Sequence, residues 1–377
     1  MRQKRCLLVQ VVNPEDPIDF AERNMRELEQ LVATFGGEVV TKIVQHRINP
    51  HPATYIGSGK LVELTEIVKL EKTEIVIFEG IVKASQLFRV EKRLWQVNPQ
   101  IRVWDKVDLI LAIFDKHATT VEAKLQIELA RINHLGPRSY GLGGGELSRQ
   151  GGGIGTRGKG ETNIEFERRV VRRRRQEIQQ KLKKVTQQKQ GRVQRRSELG
   201  LGPVALVGYT SAGKTTLFNA LTGKQKTVSK QLFTTLDTVV GKMKAPRGNL
   251  PVIISDTIGF IHNLPPDLIE AFQSTLLESL TAKIILHVVD IRDPEFERNI
   301  EVVDEILAKM MVTQPVLLVG NKIDGVSKDK RVDFRTRYQD REHILVSAVS
   351  GEGLQSLKDD IWKILSVESA YTSTSSV

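Results

Sequence analysis

The sequence predicts an α/β protein: a small α/β part at the N-terminal end, a larger doubly wound α/β part in the last half, and a helical segment between them. Three observations carry this expectation. Short apolar runs alternate with amphipathic stretches in the first third and again in the last half of the 377 residues, as in a mainly parallel sheet with crossover helices. Between them lie two long stretches with apolar residues at helical spacing. One apolar run, Pro203-Val204-Ala205-Leu206-Val207, leads straight into a glycine-bounded loop and then a helix-forming run, Thr216-Leu217-Phe218-Asn219-Ala220-Leu221.

In the first part, residues 1–115, strands are predicted at 6–12, 38–46, 74–79 and 100–104. Helices are predicted at 18–35, 60–71, 84–96 and 106–115. Pro14, Gly36-Gly37, Pro50 and Pro52 punctuate them. Gly57-Ser58-Gly59-Lys60 lacks the full spacing of a phosphate-binding loop and is read as a turn before a helix. The middle part, residues 116–196, holds two predicted helices. In 118–136, Leu125, Leu129 and Ile132 form a stripe that Gly136-Pro137 ends; in 164–190 the stripe is Val171, Ile178, Leu182 and Val185. These should pack antiparallel as a helical hairpin. The loop between them, 138–163, is mostly glycine, with Arg149, Arg157 and Lys159 among the glycines. It is expected to be disordered when free and suited to lie against RNA. Residues 197–366 form the last part, with strands at 203–207, 252–256, 284–290, 315–320 and 343–347. The polar tail 367–377 is expected to be disordered.

No apolar run approaches the length of a membrane span, and the N-terminal run is too short for a secretion signal. Cys6 is the only cysteine, so no internal disulfide or cysteine metal site forms, and a cytoplasmic location is the default expectation. Nothing demands an oligomer, so a monomer is expected. The net charge is +11, and residues 166–196 carry thirteen Lys or Arg against two acidic residues, an excess equal to the whole. Arg168, Arg169, Arg172, Arg173, Arg174 and Arg175 are its densest part. They read as a footprint for a polyanion, with nucleic acid the main candidate, or as a solvated helix face.

The chemistry lies in the last part. Gly208-Tyr209-Thr210-Ser211-Ala212-Gly213-Lys214-Thr215, followed by Thr216, matches G-x-x-x-x-G-K-[ST] between a strand and a helix. Its backbone N–H groups would wrap a β-phosphate, Lys214 would face the β- and γ-phosphates, and the Thr215 hydroxyl would ligate Mg²⁺. Asn321-Lys322-Ile323-Asp324 names the base. Asp324 can accept from N1–H and N2–H₂ of guanine, where adenine would leave the acceptor unpaired. Asn321 would hold the base edge and brace the loop, and the Lys322 stem would cover the ring. Asp256-Thr257-Ile258-Gly259 supplies a carboxylate for a Mg²⁺-bound water and a Gly259 N–H for the γ-phosphate. Phe233-Thr234-Thr235-Leu236-Asp237 offers Thr235 as the second Mg²⁺ ligand. Ser347-Ala348-Val349 would brace the guanine. Together these predict a GTP hydrolase in a Ras-like doubly wound domain, with Lys214, Thr235 and Gly259 as its catalytic groups. The residue after Gly259 is Phe260 rather than a water-orienting glutamine. Either hydrolysis needs a group from a macromolecular partner, or Phe260 simply packs.

Over almost its whole length the chain resembles the HflX family of bacterial ribosome-associated GTPases. The most specific pieces are Thr54-Tyr55-Ile56-Gly57-Ser58-Gly59-Lys60, Lys124-Leu125-Gln126-Ile127-Glu128-Leu129-Ala130, Gly152-Gly153-Ile154-Gly155-Thr156-Arg157-Gly158 and Asp256-Thr257-Ile258-Gly259-Phe260-Ile261. Phe260 fits the hydrophobic residue of that family. The resemblance implies binding to the large ribosomal subunit, with the hairpin and glycine-rich loop reaching ribosomal RNA near the peptidyl transferase centre. It also implies splitting of stalled or idle ribosomes, with hydrolysis stimulated by the ribosome. The runner-up is an RNA-bound assembly or placeholder switch in which GTP only gates affinity. Ser211 stands where the family usually has Asn, a residue tied to potassium in related GTPases, which argues against potassium stimulation. Lys159 stands where Pro is usual.

Overall fold

The computed structural model describes residues 3–136, 163–198, 203–224, 239–243, 252–257, 259–260, 268 and 282–374. The chain divides into two compact units, Met1–Leu182 with Pro265–Ala271 and Lys183–Leu264 with Phe272–Val377.

The first unit is built on four parallel strands in the order β2-β1-β3-β4: β1 (Lys4–Val12), β2 (Gly37–His46), β3 (Ile75–Phe78) and β4 (Arg102–Asp105). Cys6, Leu7, Leu8 and Val9 of β1 are fully buried in succession, as expected of a parallel strand covered on both faces. Between the strands run α1 (Ile18–Phe35), α2 (Ser58–Leu70) and α3 (Ala84–Leu94), and α4 (Lys106–His117) follows β4. Helix α1 ends at Gly36, whose left-handed backbone lets its N–H reach the carbonyls of Ala33 and Val32. Helix α2 starts at Ser58 with Gly57 at its N-cap, so the Gly57–Lys60 stretch is the turn into a helix that its spacing suggested.

Asp105, which ends β4, is the polar hub of this unit. It is fully buried. Its carboxylate caps α4 by accepting from the Asp108 N–H at 3.0 Å, accepts from the Val82 N–H at 3.0 Å, and meets Nε2 of His134 at 2.9 Å. His134 lies in the last turn of α5 (Val121–Leu135), so one carboxylate ties that helix to the sheet. Helix α6 spans Asn163–Glu198, and the border between the two units falls inside it. The predicted stripes meet: Leu125, Leu129 and Ile132 of α5 cluster with Val171 and Ile178 of α6, with Leu182 packed against them. The glycine-rich loop expected to be disordered, with Arg149, Arg157 and Lys159, lies outside the described residues.

The second unit holds a six-stranded sheet in the order β10-β9-β8-β5-β7-β6. Its strands are β5 (Pro203–Val207), β6 (Val239–Met243), β7 (Val252–Asp256), β8 (Ile284–Asp290), β9 (Val316–Asn321) and β10 (His343–Leu345). All neighbours are parallel except β6, which runs antiparallel to β7. Strand β6 carries little strand signal because Gly241 interrupts it. A Cβ there would lie 2.6 Å from Thr222 and 2.8 Å from Phe218 of the adjoining helix. Helices α7 (Lys214–Thr222), α8 (Phe296–Lys309), α9 (Lys328–Arg337) and α10 (Leu354–Thr374) complete the described part of this unit.

Two helices run further than their spacing predicts. Helix α10 continues to Thr374, into the tail expected to be disordered, and no Gly or Pro interrupts 354–374. Helix α6 likewise runs past 190, through Gly191, to Glu198.

Replacing Asp105 with Ala orphans two backbone N–H groups and His134 in a buried setting. The expected loss of stability is about 3 kcal/mol in urea unfolding, with a smaller loss for Asp105→Asn, which keeps an acceptor.

Candidate nucleotide site

Parallel strands β5, β7, β8 and β9 bring their carboxyl ends to one edge of the sheet, where an open α/β sheet places its ligand site. The Gly208–Thr215 loop joins β5 to α7 at that edge. Gly208 has φ +151°, and a Cβ there would stand 2.2 Å from the Val288 carbonyl oxygen. The neighbouring strand therefore requires this glycine before any phosphate does. Gly213 has φ +93°, and its Cβ would meet the Asn321 side-chain nitrogen at 2.4 Å. That contact couples the two halves of the site.

Asn321 ends β9 fully inside the protein. Its Nδ2 donates to the Ala212 carbonyl at 2.9 Å, and its Oδ1 accepts from the Ala348 N–H at 3.1 Å. The expected brace is present. The amide joins the two loops with one of its N–H donors and its oxygen. Lys322 adopts φ +66° and reaches back over the loop. Its Nζ donates to the Ser211 carbonyl at 2.7 Å and to Asp290 Oδ2 at 2.6 Å. Ser211 is itself left-handed, with φ +61°, a conformation that Asn adopts more readily than Ser. Asp324 is exposed in the middle of a short 3₁₀ turn (Ile323–Gly325), and the Ser347 hydroxyl donates to its Oδ1 at 2.5 Å. The contact from Ser347 to Asp324 runs through the side chain, in addition to the backbone role expected of Ser347-Ala348. Val349 is exposed.

At the phosphate end, Thr215 donates from its hydroxyl to Asp256 Oδ2 at 2.9 Å. A hydroxyl and a carboxylate brought together suit a hard cation that takes oxygen ligands. Lys214 is buried, with its Nζ on the carbonyls of Gly208 and Tyr209 at 3.0 and 2.8 Å. Burial pushes its pKa down to about 8, against the pull of Asp256 and with Lys322 adding to the fall. Thr216 is half-buried on α7. Thr257 is spent on structure, donating to the Leu206 carbonyl at 2.7 Å. Gly259 packs closely: a Cβ would lie 3.0 Å from both Lys214 Nζ and Thr210. Phe260 is 1% exposed. Its carbonyl accepts from the Thr210 N–H at 2.8 Å, and its N–H donates to the Gly208 carbonyl at 3.1 Å. The Phe260 ring packs in the core and its backbone extends the loop's own pairing, an arrangement compatible with a water-orienting group supplied from elsewhere. Phe233, Thr234, Thr235, Leu236, Asp237 and Ile258 lie outside the described residues.

Two groups at this site had no role in the sequence reading. Asp290 ends β8 opposite Asn321 in the parallel register and holds both Lys322 and Arg292. The only hint was an acid closing a long apolar run. The stem of Arg292 lies where a Cβ on Gly325 would come within 2.4 Å of it.

The residues 22–115, 117–196 and 203–322 match in turn the families described as GTP-binding GTPase N-terminal, GTP-binding GTPase middle region and 50S ribosome-binding GTPase. The chain is 41% identical to the GTPase HflX of Caldanaerobacter subterraneus subsp. tengcongensis over 85% of its own length and 73% of that protein's. It is 39% identical to the GTPase HflX of Escherichia coli, over 92% of this chain and 80% of the relative. The chain belongs to the HflX GTPase family. A crystal structure of SsGBP in complex with GDP aligns with a TM-score of 0.53 over 97% of this chain and 100% of that one. At 24% identity it shares the fold. The P-loop GTPase fold and the HflX membership make this a GTP-binding protein, and the edge described above is its candidate site.

Among the basic residues of α6, Arg168, Arg169, Arg172, Arg173 and Arg175 are exposed. Arg174 is half-buried and donates two bonds to Glu128 of α5, at 2.7 and 2.8 Å, so it clasps the two helices.

Because phosphates raise the pKa of a buried lysine while the free site holds Lys214 near 8, nucleotide binding should draw in a proton above that pH. GTP affinity is expected to fall by up to about tenfold per pH unit as pH rises through 8. Calorimetry in buffers of different ionisation heat would register the proton uptake. Lys214→Arg, which stays charged, should flatten the profile whatever affinity it retains.

Proposed function

We propose that this chain is a Mg²⁺-dependent GTP hydrolase that binds the large ribosomal subunit and splits stalled or idle ribosomes. The observation that carries the nucleotide part is the joint at Asn321. It holds the Asn321–Asp324 loop, the Gly208–Thr215 loop and the Ser347–Ala348 loop as one rigid frame. In that frame Asp324 accepts from the guanine N1–H and N2–H₂, and Ser347 fixes its orientation. The backbone of residues 208–215 and the Lys214 ammonium take the β- and γ-phosphates, and the Gly259 N–H meets the γ-phosphate. Thr215 would hold Mg²⁺ directly, Asp256 through water, and Thr235 is proposed as the second direct ligand. The ion would neutralise charge on the β- and γ-oxygens. Hydrolysis adds water to the γ-phosphorus and releases GDP and phosphate. Phe260 offers no group that aligns that water, so we assign the missing group to the ribosome.

Three observations support the ribosomal part: the family membership, the match of residues 203–322 to 50S ribosome-binding GTPases, and the exposed arginines of α6. We propose that these arginines, with Arg149, Arg157 and Lys159 of the glycine-rich loop, meet ribosomal RNA. The partner would require a cytoplasmic location, and a monomer suffices for the activity. Among the described residues no helix is long and apolar enough to cross a membrane.

The deciding experiment is GTP hydrolysis with and without purified large subunits, in sodium and in potassium buffer. Stimulation by at least about tenfold, equal in the two buffers, is expected; equal rates with and without subunits would refute ribosome activation. Light scattering of intact ribosomes with protein and GTP should fall. An unchanged signal in every nucleotide state would replace splitting with an affinity-gated RNA switch. Asp324→Asn should lose the preference for GTP over ATP, and an unaltered preference would remove Asp324 from base recognition.

A further inference from the structure

The Asp290 carboxylate lies outside every motif that names the nucleotide, yet it is wired into two of them. Its Oδ2 accepts from Lys322 Nζ at 2.6 Å and from Arg292 Nη2 at 3.3 Å. Its Oδ1 accepts from Arg292 Nε at 3.2 Å and from the Arg292 N–H at 3.0 Å. The same Lys322 Nζ crosses to the Ser211 carbonyl of the phosphate loop at 2.7 Å. Asp290, Lys322 and Ser211 thus form a chain from the end of β8, through the base-reading loop, to the phosphate loop. The placement is enforced on both sides. Asp290 sits beside Asn321 in the β8–β9 register, with Ile291 N–H on the Asn321 carbonyl at 3.2 Å. Arg292 runs against Gly325, the last residue of the turn that carries Asp324.

We propose that Asp290 is a positioning residue for nucleotide affinity: its charge holds Lys322 stretched across the phosphate loop, so that base-reading and phosphate-binding loops are pre-assembled before nucleotide arrives. It touches no substrate atom. A lysine side chain has several rotatable bonds, and fixing it in advance removes an ordering cost from the binding step. Burial alone would raise the Asp290 pKa, but hydrogen bonds from Arg292 and Lys322 outweigh it and hold the carboxyl below its usual range, so the charge persists at neutral pH. This inference rests on the nucleotide reading of the site.

The test is a double-mutant cycle on the full chain, with Kd for fluorescent GDP and for a non-hydrolysable GTP analogue as the readout. Asp290→Asn keeps the shape and removes the charge. It is expected to raise both Kd values about tenfold, the scale of one lost charge-assisted bond, and to raise KM more than it lowers kcat. In a Lys322→Met background the same change should have little effect, because the partner is gone. Equal losses in the two backgrounds, or unchanged affinity in the first, overturn the proposal. Asp290→Glu keeps the charge and should stay within about threefold of the parent chain. A Glu variant as weak as the Asn variant also overturns it. If Asp290→Asn fails to fold, Asp290→Glu runs in the same cycle, where its smaller loss should vanish once Lys322→Met has removed the ammonium it holds; a loss that persists there overturns the proposal. Failure of the parent chain to bind either nucleotide would instead sink the nucleotide reading itself.

Discussion

The Asn321 side-chain amide is the joint on which the candidate site depends. Three loops from distant parts of the chain must stand in fixed relation for one nucleotide to be read at both ends. The Asn321 amide spends one donor on Ala212 and its acceptor on Ala348, deep in the protein where an unmade bond is costly. Gly213 is compelled by the same contact, since any side chain there would collide with that amide. Asn321 thus builds the frame that presents Asp324 and the phosphate loop together.

The frame works because the sheet is parallel. Strands β5, β7, β8 and β9 all end at the same edge, and their last residues or the loops after them supply the chemistry: Gly208, Asp256, Asp290 and Asn321. Near-continuous apolar strands bury both faces, and the groups named above gather at their carboxyl ends. Phe260 belongs to this logic. Its backbone pairs with Gly208 and Thr210, so the segment after Gly259 starts as an extension of the phosphate loop, and the ring anchors it in the core. An anchored hydrophobic residue there holds Gly259 in place beside Lys214 and Thr210.

The first unit uses a different centre. Asp105 gathers a helix cap, a loop N–H and His134, while Arg174 and Glu128 clasp the two long helices beside an apolar seam. Both arrangements fix the root of the segment that carries the glycine-rich loop, the part of the chain proposed to meet RNA.

The sequence by itself determined the fold class and most elements, because those depend on local periodicity. The run Cys6–Val12 had to be a buried strand, and Leu125, Leu129 and Ile132 had to share a helix face. It also determined the nucleotide motifs, because phosphate and guanine chemistry tolerate few residue types at fixed spacing. Tertiary structure alone decided what depends on neighbours far along the chain. Strand β6 escaped notice because Gly241 answers to the helix packed on it, not to strand propensity. Arg174 acquired Glu128, 46 residues away in sequence, as its partner only when the two helices came together. Asp290 acquired its partners only when β8 and β9 came side by side, which no linear spacing encodes.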